Sequence, residues 1–394
     1  MISAFVGEIN FSGVNEHVMP PRRQTYTWAQ ACVIMAAMGS ITWECGMRQD
    51  ERATHLRDWV GSWLHQHRRD LGQPLAMPMV SGDASFRRYF RVLLSKGSLI
   101  AVDAPPAHEN MGAFIAIASA LRAHGVLAPE VIAVEHEQGY MLLSDLGDRL
   151  LLGALDEQRV DALYGQAMDE ILRMQSCQEV PGWTLPQYDQ SRLLDEMKLF
   201  PDWFVRRYLG LELSVHEHAV LDNAVQLIVE AVLQQPQGFV HRDYHARNLM
   251  LVEDDRLAVI DFQDAVIGPL SYDLISLLRD AYIAWPRARV HQWIAHFAAQ
   301  AAARGLLDAA AQAGFAEDCD WMSAQRHLKV LGIFARLSLR DGKHGYLQDM
   351  PLVMAYLLDE VGRLPSLRPL HRLLQERIAP RYADQSGHAQ VELR

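Results

Sequence analysis

Disulfide scaffolds and zinc-finger sites are excluded first. The 394 residues hold four cysteines, Cys32, Cys45, Cys177 and Cys319, with no metal-ligand spacing among them. They read as reduced thiols of a cytosolic protein. The 17 histidines form no pattern such as H-E-x-x-H, so they read as surface or satisfied core residues. Long apolar runs are missing too. The apolar centre at residues 31–38 is too short to cross a bilayer, and Gln30 and its late position argue against a signal peptide. Positive charge is in short supply: a net charge of −11 argues against a nucleic-acid or anionic-membrane surface, while leaving room for a local basic pocket. Repeats and low-complexity tracts are absent, and the alanine-rich residues 298–303 are helix filler. What is present is 50% hydrophobic content, enough for one large core or two lobes.

The chain is organised around His241-Arg242-Asp243-Tyr244-His245-Ala246-Arg247-Asn248 and the later Val259-Ile260-Asp261-Phe262-Gln263. Each stretch follows a short apolar strand, Gly238-Phe239-Val240 in one case and Leu257-Ala258-Val259-Ile260 in the other. The apolar run from Leu249 to Val252 and a turn at Asp254-Asp255 lie between them. Phosphoryl transfer requires this set. One carboxylate, Asp243, would orient and deprotonate an attacking hydroxyl, while an amide oxygen and a second carboxylate, Asn248 and Asp261, would hold Mg²⁺ on nucleotide phosphates. Kinase catalytic loops have the form H-R-D-x-x-x-x-N, followed later by D-F-G. Here D-F-Q stands for D-F-G, and His245 occupies the position two after the base, where protein kinases carry Lys. The stretch therefore resembles the H-x-D-x-H-x-x-N of aminoglycoside phosphotransferases and choline kinases. Residues 267–274, with Gly268-Pro269 and Tyr272-Asp273-Leu274, resemble that superfamily's G-P-x-x-Y-D-L continuation.

Upstream, residues 50–66 have the apolar spacing of an amphipathic helix. Met79-Val80, a turn at residues 81–85 and Phe86 to Leu94 read as a β-hairpin whose faces alternate. In a kinase this hairpin closes over ATP. It has a single glycine, Gly82, so Ser81 and Ser85 are expected to supply hydroxyls beside Asp83 and Arg88. Residues 99–103 form the next strand. They end at Asp103, where kinase-like folds place a Lys or Arg for the nucleotide phosphates, which leaves Arg88 and Arg91 as the nearest replacements. Residues 110–124 read as a helix with Glu109 as a solvated acid at its start. Residues 131–134 and 140–143 are strands, and Ser144-Asp145-Leu146-Gly147 reads as the hinge whose backbone meets adenine.

Beyond the hinge the periodicity predicts helices over residues 161–175, 192–207, 215–234, 272–285, 288–304 and 327–340. On the second of these, Arg192, Glu196 and Trp203 share one side, as a ring plane with polar neighbours for a sugar would; packing of Trp203 in the core is the competing reading. Arg336, Arg340 and Lys343 recur at helical spacing, either as a cationic stripe near the cleft or as a solvated face.

From about Met47 to Arg381 the chain resembles the bacterial anomeric sugar kinases of cell-wall recycling. The resemblance is carried by residues 81–91, 103–106, 144–147, 196–204, the catalytic loop and 326–337. It implies an α+β, two-lobed protein-kinase-like fold, with an antiparallel sheet and helix in the N-lobe (residues 47–145) and a larger, mainly helical C-lobe (residues 146–394). Residues 1–46 are expected to be a non-essential extension. It further implies ATP and Mg²⁺ as cofactors, and a cytoplasmic monomer with no nucleic-acid or membrane partner. The implied substrates are N-acetylmuramate and N-acetylglucosamine, phosphorylated at C1, with Arg192, Glu196, Trp203 and His245 on the sugar side. An aminoglycoside or small-alcohol phosphotransferase, or a pseudokinase binding module, remains open.

Overall fold

In the computed structural model, residues 51–81, 86–177 and 179–386 are described. The expectations for residues 1–46, including Cys32 and Cys45, and for Gly82, Asp83 and Ser85 lie outside the described residues, as does the side chain of Ser81. The described residues from 55 onward form one compact unit; of residues 1–54, only 51–54 are described.

The N-lobe is an antiparallel sheet in the order β1 (Met79–Ser81), β2 (Arg88–Leu93), β3 (Ser98–Asp103), β5 (Tyr140–Ser144), β4 (Val131–Glu135). The expected hairpin is β1–β2, with Met79 opposite Phe90 and Ser81 opposite Tyr89. In the β2–β3 pair Arg88 is opposite Asp103 and Tyr89 opposite Val102. Because strand side chains alternate, this register assigns Arg88, Phe90 and Asp103 to one face and Tyr89, Arg91, Ile100 and Val102 to the other. Helix α1 (Glu51–His67) covers the first face, with Leu56, Val60 and Leu64 fully buried and Trp59 lying 6.0 Å from Tyr140, the residue opposite Asp103. Helix α2 (Met111–Ala123) covers the second, where Val102, Phe114, Ile117 and Leu121 share a core with Tyr89 and Ile100. Asn110 caps α2 by accepting the Gly112 N–H at 2.9 Å.

The C-lobe contains α3 (Val160–Gln175), α4 (Gln190–Met197), α5 (Val215–Leu233), α6 (Ser271–Leu278), α7 (Arg287–Ala303), α8 (Ala309–Asp341) and α9 (Met350–Arg363). The single helix expected over residues 192–207 is in fact α4 followed by a π-helical segment, Phe200–Tyr208. Pro201 has no N–H to continue the α ladder, and the wider turns close with Leu209 N–H on Phe204 O. The helix expected over residues 272–285 stops at Leu278. There the Asp280 carboxylate accepts the Tyr282 N–H at 3.2 Å and the Ala246 N–H at 3.0 Å, bonds that compete with a continuing helix. The helix expected over 327–340 is the last part of α8, which spans 33 residues from its Asp308 cap to Gly342 at φ +67°. A Cβ on Gly332 of α8 would lie 2.4 Å from the Leu199 carbonyl carbon. Gly332→Ala therefore forces α8 away from the segment after α4. We expect a stability loss of about 1–3 kcal/mol, read from denaturant melts; an unchanged midpoint would contradict this close contact.

Two short antiparallel ribbons present the polar loops. Strand β6 (Gln237–Val240) pairs with β9 (Val266–Pro269), and β7 (Leu249–Leu251) with β8 (Leu257–Val259). Residues 241–248 connect β6 to β7, and residues 260–265 connect β8 to β9. Asp254 and Asp255, at φ +59° and +53°, make the expected turn. Buried residues of α2, both ribbons, α3, α6 and α7 belong to one hydrophobic core, so the lobes are joined by packing.

Candidate active site

The loop after β6 is clamped by one buried carboxylate. Asp273, in the first turn of α6, accepts the His241 N–H at 2.7 Å and the Arg242 N–H at 3.1 Å. Burial pushes its carboxyl up to about 7, although both N–H bonds pull the other way. This clamp supports Arg242 at φ +78°, a conformation that costs an ordinary side chain about 1–3 kcal/mol.

His241 ties the two loops together. Its Nε2 donates to Ile260 O at 2.9 Å and its Nδ1 accepts the Asp243 N–H at 3.3 Å, which fixes the tautomer. Burial pushes the His241 pKa down, so the ring is neutral. Asn248 completes the connection. Its Nδ2 donates to Asp243 O at 3.0 Å and to Asp261 Oδ2 at 3.3 Å. Asp243, Asn248 and Asp261 are therefore brought together as the spacing predicts. Asp261, at φ +66°, receives a second amide: Gln263 Nε2 donates to its Oδ1 at 2.8 Å. The intervening Phe262 is fully buried and stacks on Phe114 of α2 at 5.0 Å.

Asn248 and Asp261 offer an amide and a carboxylate side by side. Among the described residues no group of three or more His, Cys, Asp or Glu could hold a metal ion. The pair fits Mg²⁺, which keeps waters and takes phosphate oxygens alongside one or two carboxylates.

Burial alone would raise the Asp243 carboxyl, but it is held below the ordinary carboxylate range by Lys329, His245, His241 and Arg242. Burial also pushes the His245 pKa down, as it does that of His241. Lys329 comes from α8 and is 8% exposed. Its Nζ lies 3.0 Å from both Glu196 Oε1 and the Tyr272 hydroxyl. Sequence reading missed it. The stretch around it resembles the sugar kinases, but nothing in local spacing links it to Asp243.

Glu196, expected on the sugar side, has its carboxylate paired within the protein. Arg242 Nη2 lies 2.6 Å and Lys329 Nζ 3.0 Å from its Oε1, while the Tyr188 hydroxyl and Gln325 donate to its Oε2. Arg192 is exposed, and its N–H serves the Asp189 helix cap. Trp203 is half-buried against the C-lobe core under the Arg207 guanidinium, 4.1 Å from the ring centroid. The wider turn that begins at Phe200 removes the helical register on which a shared face with Glu196 depended. His245 sits edge-on to Tyr282 at 5.5 Å, and its buried Nδ1 has no hydrogen-bond partner among the described residues. Arg340 turns to Asp341 at 2.7 Å, which favours the solvated-face reading of its stripe.

In the N-lobe, Arg88 donates to Asp103 Oδ2 from Nε at 3.0 Å and Nη2 at 2.5 Å, on the face covered by α1. Arg88 thus lies on the opposite side of the sheet from α2. The Asp145 side chain accepts from Arg91 Nε and Ser98, each at 2.6 Å, so it latches β2 to the hinge beside the half-buried Leu146. Glu109 is not a solvated acid: it pairs with Arg87 at 3.0 Å.

Residues 78–311 match the model of the phosphotransferase enzyme family (APH). The chain belongs to this family. An N-acetylmuramate/N-acetylglucosamine kinase of Pseudomonas aeruginosa is 41% identical over 332 residues, spanning 83% of this chain and 97% of that protein. One of the same description from Pseudomonas putida is 40% identical over the same shares. A spectinomycin phosphotransferase solved with ADP and spectinomycin shares the fold at TM-score 0.53 and 10% identity, covering 81% of this phosphotransferase and 98% of that chain. No helix among the described residues is long and apolar enough to cross a membrane.

Proposed function

We propose that this phosphotransferase moves the γ-phosphoryl group of ATP to the anomeric hydroxyl of N-acetylmuramate or N-acetylglucosamine, in the cytoplasm and in the setting of cell-wall sugar recycling. The observation that carries this reading is the 40–41% identity to kinases of that description over 97% of their length. In this scheme Asp243 accepts the C1 hydroxyl proton as the sugar oxygen attacks the γ-phosphorus. The bond from that phosphorus to the β-phosphate oxygen breaks, and ADP leaves. Asn248 and Asp261 would hold Mg²⁺, which would supply neutralising charge to the nucleotide phosphates. A hemiacetal hydroxyl is more acidic than an ordinary alcohol. A base held below the ordinary carboxylate range, as Asp243 is, suits such an acceptor.

The test is phosphorus NMR of the product formed from ATP and either sugar. A sugar 1-phosphate is expected, together with no turnover of the methyl glycoside, whose C1 oxygen carries no proton. Changes at C3 that add or remove the lactyl group should be tolerated. A 6-phosphate, or efficient use of the methyl glycoside, refutes the anomeric acceptor.

A further inference from the structure

Strand β2 and the residue before it carry three arginines, Arg87, Arg88 and Arg91, and their partners separate them. Arg88 is spent on Asp103 under α1, and Arg91 on the hinge acids Asp145 and Asp148, at 2.6 and 2.7 Å. Arg87 is 5% exposed. Its Nε lies 3.0 Å from Glu109 Oε2, and its Nη2 lies 3.5 Å from the carbonyl of Asn110, the α2 cap.

Three contacts relate this ion pair to the loop carrying Asp261. The Arg87 guanidinium lies 5.8 Å from the Phe114 ring, Phe114 stacks on Phe262 at 5.0 Å, and Phe262 directly follows Asp261. Tyr89, next on the same strand face, packs on the core that contains Phe114 and Phe262. Burial raises its hydroxyl pKa, and the charges of Arg87 and Asp261 both act on it. A cation at this place lies at the start of α2, beside the ring that stacks on Phe262, with Val102 rather than an acid on the neighbouring position of the sheet face.

We infer that Arg87, held in place by Glu109, is the cation that meets the phosphates of the nucleotide. The inference rests on the ATP-dependent reading above. A guanidinium suits the place because its planar fork can pair with a carboxylate along one edge and with a phosphate along another. The acid at Asp103 then has its own explanation: it holds Arg88 on the opposite face, so the phosphate cation is supplied by the residue before β2 and not by β3.

The test compares ADP with adenosine, by calorimetry on the full chain, in wild type, Arg87→Met and Arg87→Lys. Losing charged hydrogen bonds to phosphate weakens ADP binding by roughly 10–100-fold in Arg87→Met. Adenosine, which has no phosphate, should bind all three proteins equally. Arg87→Lys keeps the charge without the fork and should fall between the other two. If Arg87→Met does not fold, the Lys variant decides by the same comparison. ADP binding unchanged by substitution, or adenosine weakened in the same proportion as ADP, overturns the assignment. Wild type that binds no ADP would instead refute the ATP-dependent reading itself.

Discussion

Asp243→Asn should lower kcat by roughly 10²–10⁴-fold, the range expected for loss of a general base, while ADP binding stays within a few-fold of wild type. Asn preserves the shape of the side chain and the backbone carbonyl that receives Asn248 Nδ2. What it removes is the proton acceptor. The same substitution tests the electrostatics. With its carboxyl held low by Lys329 and Arg242, Asp243 remains ionised through mildly acidic pH. The acid limb of kcat/KM in wild type should therefore lie below pH ~4, the ordinary carboxylate value. For stability the sign follows from a depressed native pKa: the contribution is present above the unfolded value and lost as pH falls through the lower native one. A variant keeping more than about a tenth of wild-type turnover would place the base elsewhere.

Asp273→Ala should be the most damaging substitution for stability, at about 2–6 kcal/mol. It leaves the His241 and Arg242 N–H groups without acceptors where Asp273 is fully buried, at about 1–3 kcal/mol each. Turnover should fall with it, because the clamp supports the backbone of Arg242 beside Asp243. Asp273→Asn can accept only one of the two bonds and should be intermediate. Its pH dependence has the opposite sign to that of Asp243. A carboxyl raised to about 7 binds its proton more tightly in the native state. Its contribution is therefore complete below the unfolded value near ~3.9 and is lost as pH rises through about 7. Urea melts between these values should slope downward with pH in wild type and less so in Asp273→Asn. Equal slopes, or an Ala variant as stable as wild type, would contradict the clamp.

The parts legible in the sequence are those whose partners are close along the chain. Asp243, Asn248 and Asp261 were marked by spacing and by the strands that deliver them, and the helix over residues 110–124 by its apolar period. Strand alternation gave the two faces of β2 but not which face looks toward the nucleotide. That depends on α1 and α2 packing on opposite sides, so the sequence left Arg88 and Arg91 as candidates and did not single out Arg87, the residue inferred above to meet the phosphates. Glu196 looked available for a sugar because its partners, Arg242 and Lys329, arrive from a loop and a helix far along the chain. The early end of α6 was hidden for the same reason: Asp280 reads as one more helical residue until the Ala246 N–H is there to bind. Pro201 did announce an interruption. The change from α to π turns, and the rotation of Trp203 that comes with it, could not be read from one proline.

The amide at Gln263 bears on how such an enzyme could be regulated. In many kinases the metal-binding aspartate reaches its working position only when a flexible segment becomes ordered, which gives phosphorylation or a partner something to switch. Here each oxygen of Asp261 already accepts a side-chain amide, and the following phenylalanine is stacked on α2. If Asp261 serves Mg²⁺ as proposed, Asn248, Gln263 and the stacked Phe262 are the side chains that hold the metal ligand in place, and a change at any of them would loosen Asp261 without removing its carboxylate.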